Sequence, residues 1–545
     1  MLIIIRVFLL VATTLYQAIA CWFEDRKPPP GQMFDVGGYR LHLYIAGNAN
    51  PTIVLDHSLG GIEGYSGSHS DAVQDYIARC RGTAMPCPYG CTSRKREPLY
   101  LLVEELAKLA RVCIYDRAGY GWSDRSPHPR TSNQIVTELD TLLFSLILNF
   151  MNSNPALCAA IAHHITTTPQ QRITFAEFMD MVLYHPEHGY YSSDAVKIGF
   201  QGGDFFTSPN LCADFGELLA EQFFQIWEIL GKPVPFSLVE MGAGQGLLAL
   251  HILKYHQLRY PDFFTALEYI IVEKSPTLRQ EQQQRLQDFP VRWCNLEDIP
   301  PNAIAGCFFS NELVDAFPVH QFILETGKLR EIYVTTDRNE KETNAPCPSF
   351  VEVTGELSTP QLAQYLDLVG IDFTQNAYPD GYRSEINLAA LDWLSIVADR
   401  LQRGYVLTID YGYPASRYYN PRRSQGTLQC YYHHRFHDNP YINIGRQDIT
   451  AHVDFTALEL WGEKYNLKNI GFIQQGLFLM ALGLGDRIAA LSNQQQPLSQ
   501  LLQRRDSLHQ LIDPTGLGGF GVLIQSKGLD KTEISQPLKG LTLPE

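Results

Sequence analysis

The stretch Phe236–Gly246, FSLVEMGAGQG, runs directly into LLALHILKYH and restricts the fold more than any other part of the chain. An apolar run ends at Glu240, glycines come next at alternate positions (Gly242, Gly244, Gly246), and a helical pattern begins at once. That order reads as buried strand, glycine turn and helix start. Glycines let the backbone approach a ligand where a Cβ would collide. The helix start presents unpaired N–H groups at the same place. An ordinary strand–helix turn has the same local pattern, so the weight falls on the downstream strands and acids.

Leu267–Glu273 (LEYIIVE) reads as a strand ending in an acid, and Ser275 caps a helix over Pro276–Phe289. Val291–Cys294 is a short strand leading to Leu296–Pro300, and Cys307–Ser310 is a buried strand ending in Asn311-Glu312. A helix over Ile386–Leu401, ended by Gly404, precedes the strand Tyr405–Asp410; Gly518–Gln525 is the last strand. Upstream, Ile173–Tyr191 has a helical period with Thr174 as N-cap and Glu177 three residues on. Gly202–Ser208 is a second glycine turn, and Cys212–Leu230 is an amphipathic helix closed by Gly231 and Pro233. Strands alternating with helices predict an α/β, doubly wound sheet covered on both faces. Ligands bind such sheets at the carboxyl ends of the strands. Residues 338–380 read as an insertion or lid, and 528–545 as a polar tail.

The glycine spacing is G-x-G-x-G behind an acid, where nicotinamide folds prefer G-x-G-x-x-G. It suits S-adenosylmethionine, a zwitterion with a sulfonium and an adenosine and no pyrophosphate. Glu273 is expected to take both ribose hydroxyls; it lies beyond Glu240 by more than the usual ~20 residues, and Tyr260–Phe264 supplies part of the excess. Asp298 is expected to reach the adenine amino group. Asp204, Thr207 and Ser208 are expected to close over the methionine end. Each acid alone is more often a solvated loop residue, and their joint order carries the reading.

The formal charge of −15 leaves no surplus of Lys and Arg for a general nucleic-acid binder. Eleven cysteines spread over 545 residues suit free thiols in a reducing compartment. No metal is expected: Cys80, Cys87 and Cys91 lack a fourth ligand at zinc spacing, and His433, His434 and His437 have only Asp438 nearby. Met1–Ala20 is apolar over about the ~20 residues a membrane span needs. Anchor and cleaved signal peptide both fit, so membrane contact through residues 1–20 stays open.

Gly37–Gly47, Thr52–Gly61 and Arg111–Ser123 (RVCIYDRAGYGWS) together resemble the front of an α/β-hydrolase, over 31–145. The G-x-S-x-G elbow that such a front leads into is missing, and Asp56 replaces the leading glycine of the imitation at His57–Gly61. A truncated or fused remnant and a gene-model error both account for this.

Residues 155–527 resemble the MidA family, whose mitochondrial member is a complex I assembly-factor arginine methyltransferase. The resemblance rests on FMDMVLYHPEHGYY (Phe178–Tyr191), GGDFFTSPN (Gly202–Asn210), FGELLAEQF (Phe215–Phe223) and LVEMGAGQGLL (Leu238–Leu248). It continues through SNELVDAFPVHQF (Ser310–Phe322), IDYGY (Ile409–Tyr413) and GRQDITAHVDF (Gly445–Phe455). It implies a class I methyltransferase fold, S-adenosyl-L-methionine as cofactor, and a protein arginine as acceptor, in a respiratory complex I-type subunit. A guanidinium wants a planar carboxylate partner. Glu312 and Asp315, after the fourth strand, are the candidates to hold it, with Asn311 hydrogen-bonding nearby. Asp315 serves equally well as a helix cap, and Asp448–Asp454 is expected to shape the acceptor entrance. The methyltransferase domain is expected on the cytoplasmic side. Two other functions fit parts of the chain: a cofactor-binding assembly factor without turnover, and a membrane-attached α/β-hydrolase.

Overall fold

Four short strands make the sheet of the first of two units, Met1–Phe150. They are β1 (Gln32–Asp35), β2 (Arg40–Ala46), β3 (Thr52–Asp56) and β4 (Arg111–Tyr115). Their order is β1-β2-β4-β3; β3 and β4 run parallel and the other pairs antiparallel. The structure, a computed structural model, describes 153–193, 208–337, 347–373, 378–432, 435–491 and 497–542, with shorter pieces between 32 and 138. The apolar N-terminus, the His57–Gly61 turn, Cys80–Cys91, and the site candidates Asp204 and Thr207 lie outside the described residues, as do His433 and His434. No helix among the described residues is long and apolar enough to cross a membrane.

The second unit, Met151–Glu545, opens with helices α1 (Pro155–Thr167), α2 (Phe175–Tyr184) and α3 (Ala213–Ile229). Thr174 caps α2 as expected: its hydroxyl accepts the Glu177 N–H, and the Glu177 carboxylate accepts the Thr174 N–H. Then come β5 (Phe236–Met241), α4 (Leu247–Arg259), β6 (Leu267–Val272), α5 (Pro276–Arg285), β7 (Val291–Cys294) and β8 (Ile304–Asn311). Strands β9 (His320–Glu325), β10 (Lys328–Thr336), β11 (Phe350–Gly355) and β12 (Arg383–Ile386) build a second, antiparallel sheet. After α6 (Leu388–Arg400), β13 (Leu401–Asp410) returns to the first sheet. A small sheet of β14 (Gln429–Tyr432), β15 (Arg435–His437) and β16 (Asp448–Thr450) precedes β17 (Lys468–Gln474) and β18 (Gly521–Lys527).

The main sheet has the order β17-β18-β13-β8-β5-β6-β7. Strands β5, β6, β7, β8 and β13 are parallel, and β18 is antiparallel to both its neighbours. Both faces are buried, which explains the near-continuous apolar runs. Phe236, Leu238, Tyr269, Phe309 and Leu407 pack on one side with α3 and α4; Val239, Met241, Ile270, Phe308 and Val406 pack on the other with α6. Strands β6 and β8 flank β5 on opposite sides, so the chain changes direction at β5. That switch point is where the glycine turn lies.

The fold departs from three expectations. Gly404 does not end a helix: it lies inside β13 opposite Gly306, and a Cβ on it would meet the Gly306 carbonyl oxygen. The segment read as an insertion or lid over 338–380 is in large part built into the second sheet's layer, to which it supplies β11 and a helix, Gln361–Leu368. Cys158 and Cys347, 189 residues apart, are disulfide-bonded, because α1 packs beside the segment that leads into β11. Cys212, Cys294, Cys307 and Cys430 carry free thiols.

Candidate active site

A cavity of about 790 Å³ opens at the carboxyl ends of β5, β6, β8 and β13. Glu240, next to last in β5, is buried, and the Tyr269 hydroxyl donates to it at 2.6 Å. Burial pushes its carboxyl up to about 7, and Glu273 adds to the shift. Beyond it the backbone enters the left-handed region at each of the three glycines: Gly242 at φ +71, Gly244 at +52 and Gly246 at +74. A Cβ on Gly242 would come within 2.7 Å of Leu313 Cδ1. Both constraints are the kind that glycine satisfies at little cost.

The next acid stands beside this turn. Glu273 is buried; its carboxylate accepts the Ser275 N–H at 2.9 Å and the Gln282 amide at 3.0 Å. Gln282 also donates to the Gly244 carbonyl at 2.7 Å and accepts from Trp293 Nε1 at 3.0 Å. One fully buried side chain therefore ties the turn, the β6 acid and β7 together. Sequence reasoning missed Gln282, which sits in a short Gln-rich run on α5. Its only signal was an amide on the face of α5 that carries Leu278.

Asp298 does not reach the cavity. It is exposed, and its carboxylate accepts the Asn295 N–H at 3.0 Å to cap a single turn, Leu296–Asp298. The turn closes on itself, which points the carboxylate back along its own chain.

Past β8 the chain makes a strained corner. Glu312 has φ +52, a conformation that costs a residue with a Cβ about 1–2 kcal/mol. Its N–H donates to the Ile409 carbonyl at 2.9 Å, which fixes the corner. Asn311 Nδ2 donates to Glu312 Oε1 at 3.0 Å, and the Ser208 N–H points at the same oxygen at 3.4 Å. Ser208 is buried, so it sits behind Glu312 and not over open cavity. Burial, then the negative field of Asp315, pushes the Glu312 carboxyl up to about 8. Asp315 itself is buried and pushed up to about 6 by burial, against a hydrogen bond from Tyr411. Asn311 Oδ1 and Asp315 Oδ1 are buried without a protein partner.

Two acids and four tyrosines complete this end. Asp410 holds the Val314–Ala316 turn by accepting its N–H groups, the role foreseen as an alternative for Asp315. Asp448 lines the cavity and accepts from the Tyr191 hydroxyl at 2.8 Å. Tyr184 stacks on Tyr191 with ring centroids 5.4 Å apart, while Tyr411 and Tyr431 line the cavity beside them. The result is an acidic, aromatic-walled chamber next to a glycine turn. Burial raises the carboxyls of Glu312 and Asp315, and a cation beside them would favour their charged forms.

The glycine cradle, the buried acid after β6 and the polar atoms without partners fit a nucleoside-bearing zwitterion. Gly242, Gly244 and Glu273 line the cavity where such a group would be held.

Comparison with known proteins agrees with this geometry. Residues 218–473 match a family model described as "Putative S-adenosyl-L-methionine-dependent methyltransferase". The chain is 30% identical over 372 residues to the Drosophila melanogaster protein arginine methyltransferase NDUFAF7 homolog, mitochondrial; 64% of this chain and 79% of that protein align. The Homo sapiens protein arginine methyltransferase NDUFAF7, mitochondrial, is 29% identical over 378 residues, covering 64% and 78%. A solved structure from Burkholderia thailandensis, bound to S-adenosyl-homocysteine, is 31% identical with a TM-score of 0.61, covering 71% of this chain and 94% of its own.

Proposed function

The chain belongs to the family of S-adenosyl-L-methionine-dependent methyltransferases, and we propose that its acceptor is the guanidinium of a protein arginine. The observation that carries this reading is the pair Glu312 and Asp315, both raised in pKa and both facing the cavity that holds the glycine turn. A planar cation between them takes charge-assisted hydrogen bonds and relieves their mutual repulsion. When bound, S-adenosyl-L-methionine supplies an electrophilic methyl on a sulfonium. The chain's own work is then to position and to move a proton. Glu312 and Asp315 orient one guanidinium nitrogen towards the glycine turn, with Asn311 and Ser208 fixing the Glu312 carboxylate. As the new N–C bond forms, the methyl's bond to sulfur would break and leave a neutral thioether, and the nitrogen's proton would pass to Glu312 Oε2, ionised beside the bound cation. Tyr184, Tyr191 and Tyr411 supply ring faces and exclude water around the cation.

The relatives are named as mitochondrial proteins. Work in mitochondria on a respiratory complex I-type subunit belongs to the same proposal.

Calorimetric titration of S-adenosylhomocysteine into the full chain, with Gly244→Val as control, tests the cofactor half. Transfer of labelled methyl to peptides carrying one arginine tests the acceptor half. Cofactor binding with no transfer to any arginine peptide would favour an assembly factor without turnover.

A further inference from the structure

The wall of the cavity changes sign along its length. Asp315 receives a hydrogen bond from Tyr411. The Tyr411 ring meets His452 edge-on, with centroids 5.1 Å apart. His452 stacks on Tyr413, again at 5.1 Å. Tyr413 in turn carries two guanidinium groups, Arg417 and Arg423, each 4.3 Å from its ring centroid. An unbroken row of rings therefore leads from the acid that would hold the target arginine to a basic rim. Burial and the fields of Arg423 and Arg417 push His452 down to about 4, so the row is uncharged between its ends.

Arg423 donates to the carbonyls of Arg417 and Tyr418, which holds its guanidinium over Tyr413. Arg417 and Arg422 are exposed. Among the described residues none of the ion pairs includes Arg417, Arg422 or Arg423.

We propose that Arg417 and Arg423 form a subsite for a carboxylate of the acceptor, so that the substrate is a segment with an Asp or Glu close to its target arginine. The proposal rests on the arginine reading above and specifies its substrate. Charge complementarity chooses the occupant: a cation at Glu312 and Asp315, an anion at the rim, with one extended strand spanning the rings between. At ~3.3 Å per residue, the two ring-to-ring steps and the further step from Tyr413 to the guanidinium groups correspond to a carboxylate within about five residues of the arginine. Rim charges of this kind set specificity and encounter more than total affinity.

The test uses the full chain and fluorescent peptides with one central arginine, flanked within about five residues by glutamates, by alanines or by lysines. Anisotropy gives the affinities. Acid-flanked peptides are expected to bind about fivefold more tightly than lysine-flanked ones at low salt, with the difference shrinking as salt is raised. Arg417→Ala should reduce that preference and Arg417→Glu should reduce it further or reverse it, while S-adenosylhomocysteine binding stays as in the parent. Equal binding of the three peptides overturns the proposal, and so does an acid preference that survives both variants. Failure of the arginine reading looks different: replacing the central arginine by norleucine would then change nothing, while the flank preference could still be read.

Discussion

Asp410, at the end of β13, accepts the backbone N–H of Val314 at 2.9 Å across 96 residues of sequence. The same oxygen lies 3.2 Å from the Leu313 nitrogen and 3.4 Å from that of Asp315, while the other oxygen accepts the Tyr411 N–H at 2.9 Å. A fully buried side chain thus sets the corner that carries Glu312 and Asp315. Asp410→Ala leaves those donors unpaired in the interior, a loss of about 3 kcal/mol or more. Urea denaturation should show it, and the surviving folded enzyme should lose kcat more than KM. An unchanged midpoint would mean that the corner holds itself.

Glu312 makes a pH prediction with a definite sign. Its folded value of about 8 lies above the ordinary 4.5, so the folded state keeps a proton that the unfolded chain releases. Stability without ligand therefore falls as pH rises from 4.5 to about 8, by up to ~1.4 kcal/mol per pH unit for this group. Asp315 (about 6) and Glu240 (about 7) act in the same direction. Glu312→Gln removes one share of the slope. Melting curves at about pH 6, 7 and 8 should show the variant gaining on the parent as pH rises. Arginine-peptide affinity of the parent should rise over the same window, as the carboxyls ionise.

Gln282→Leu keeps a side chain of similar size and removes all three polar contacts. Glu273 and Trp293 each lose a buried partner, at ~1–3 kcal/mol for an unsatisfied group. The Gly244 carbonyl is freed as well, so the turn loosens. S-adenosylhomocysteine affinity should drop about tenfold or more by calorimetry, with Tm falling alongside. A large Tm loss with unchanged affinity would place Gln282 in the scaffold alone.

Much of the main sheet was legible because its strands are buried on both faces. Continuous apolar runs such as Phe236–Met241 need no knowledge of their neighbours to be read, and a Ser275 or Thr174 cap is a local signal. The second sheet was not legible: its strands mix buried and half-buried residues, as in β11, and long connections separate them. The roles of Asp298, Gly404 and Gln282 depend on partners far along the chain or on which way a turn closes. Gly404 shows this most clearly, since a glycine after a helical pattern reads as a stop. Its reason is the carbonyl of Gly306 on the adjacent strand. Glu312 was found from the acid's place after the fourth strand, but its left-handed backbone was invisible.

The segment after Lys527 is polar by composition yet works as part of the core. Leu538 is buried, the Gly540 N–H donates to Gln222 at 2.9 Å, and Glu533 pairs with Arg403. Gln222 lies on α3, which covers one face of the main sheet beneath the glycine turn. Ending the chain at Lys527 exposes the site of Leu538, worth ~1.5–3 kcal/mol, and leaves Gln222 without this partner. A loss of about 3–5 kcal/mol is expected by denaturant titration. Gly540→Val separates packing from length, because its Cβ would lie 2.1 Å from Phe478 Cε2 while the rest of the segment is kept. Both changes should weaken S-adenosylhomocysteine binding if α3 supports the turn from below. A truncated chain as stable as the parent would return this segment to solvent.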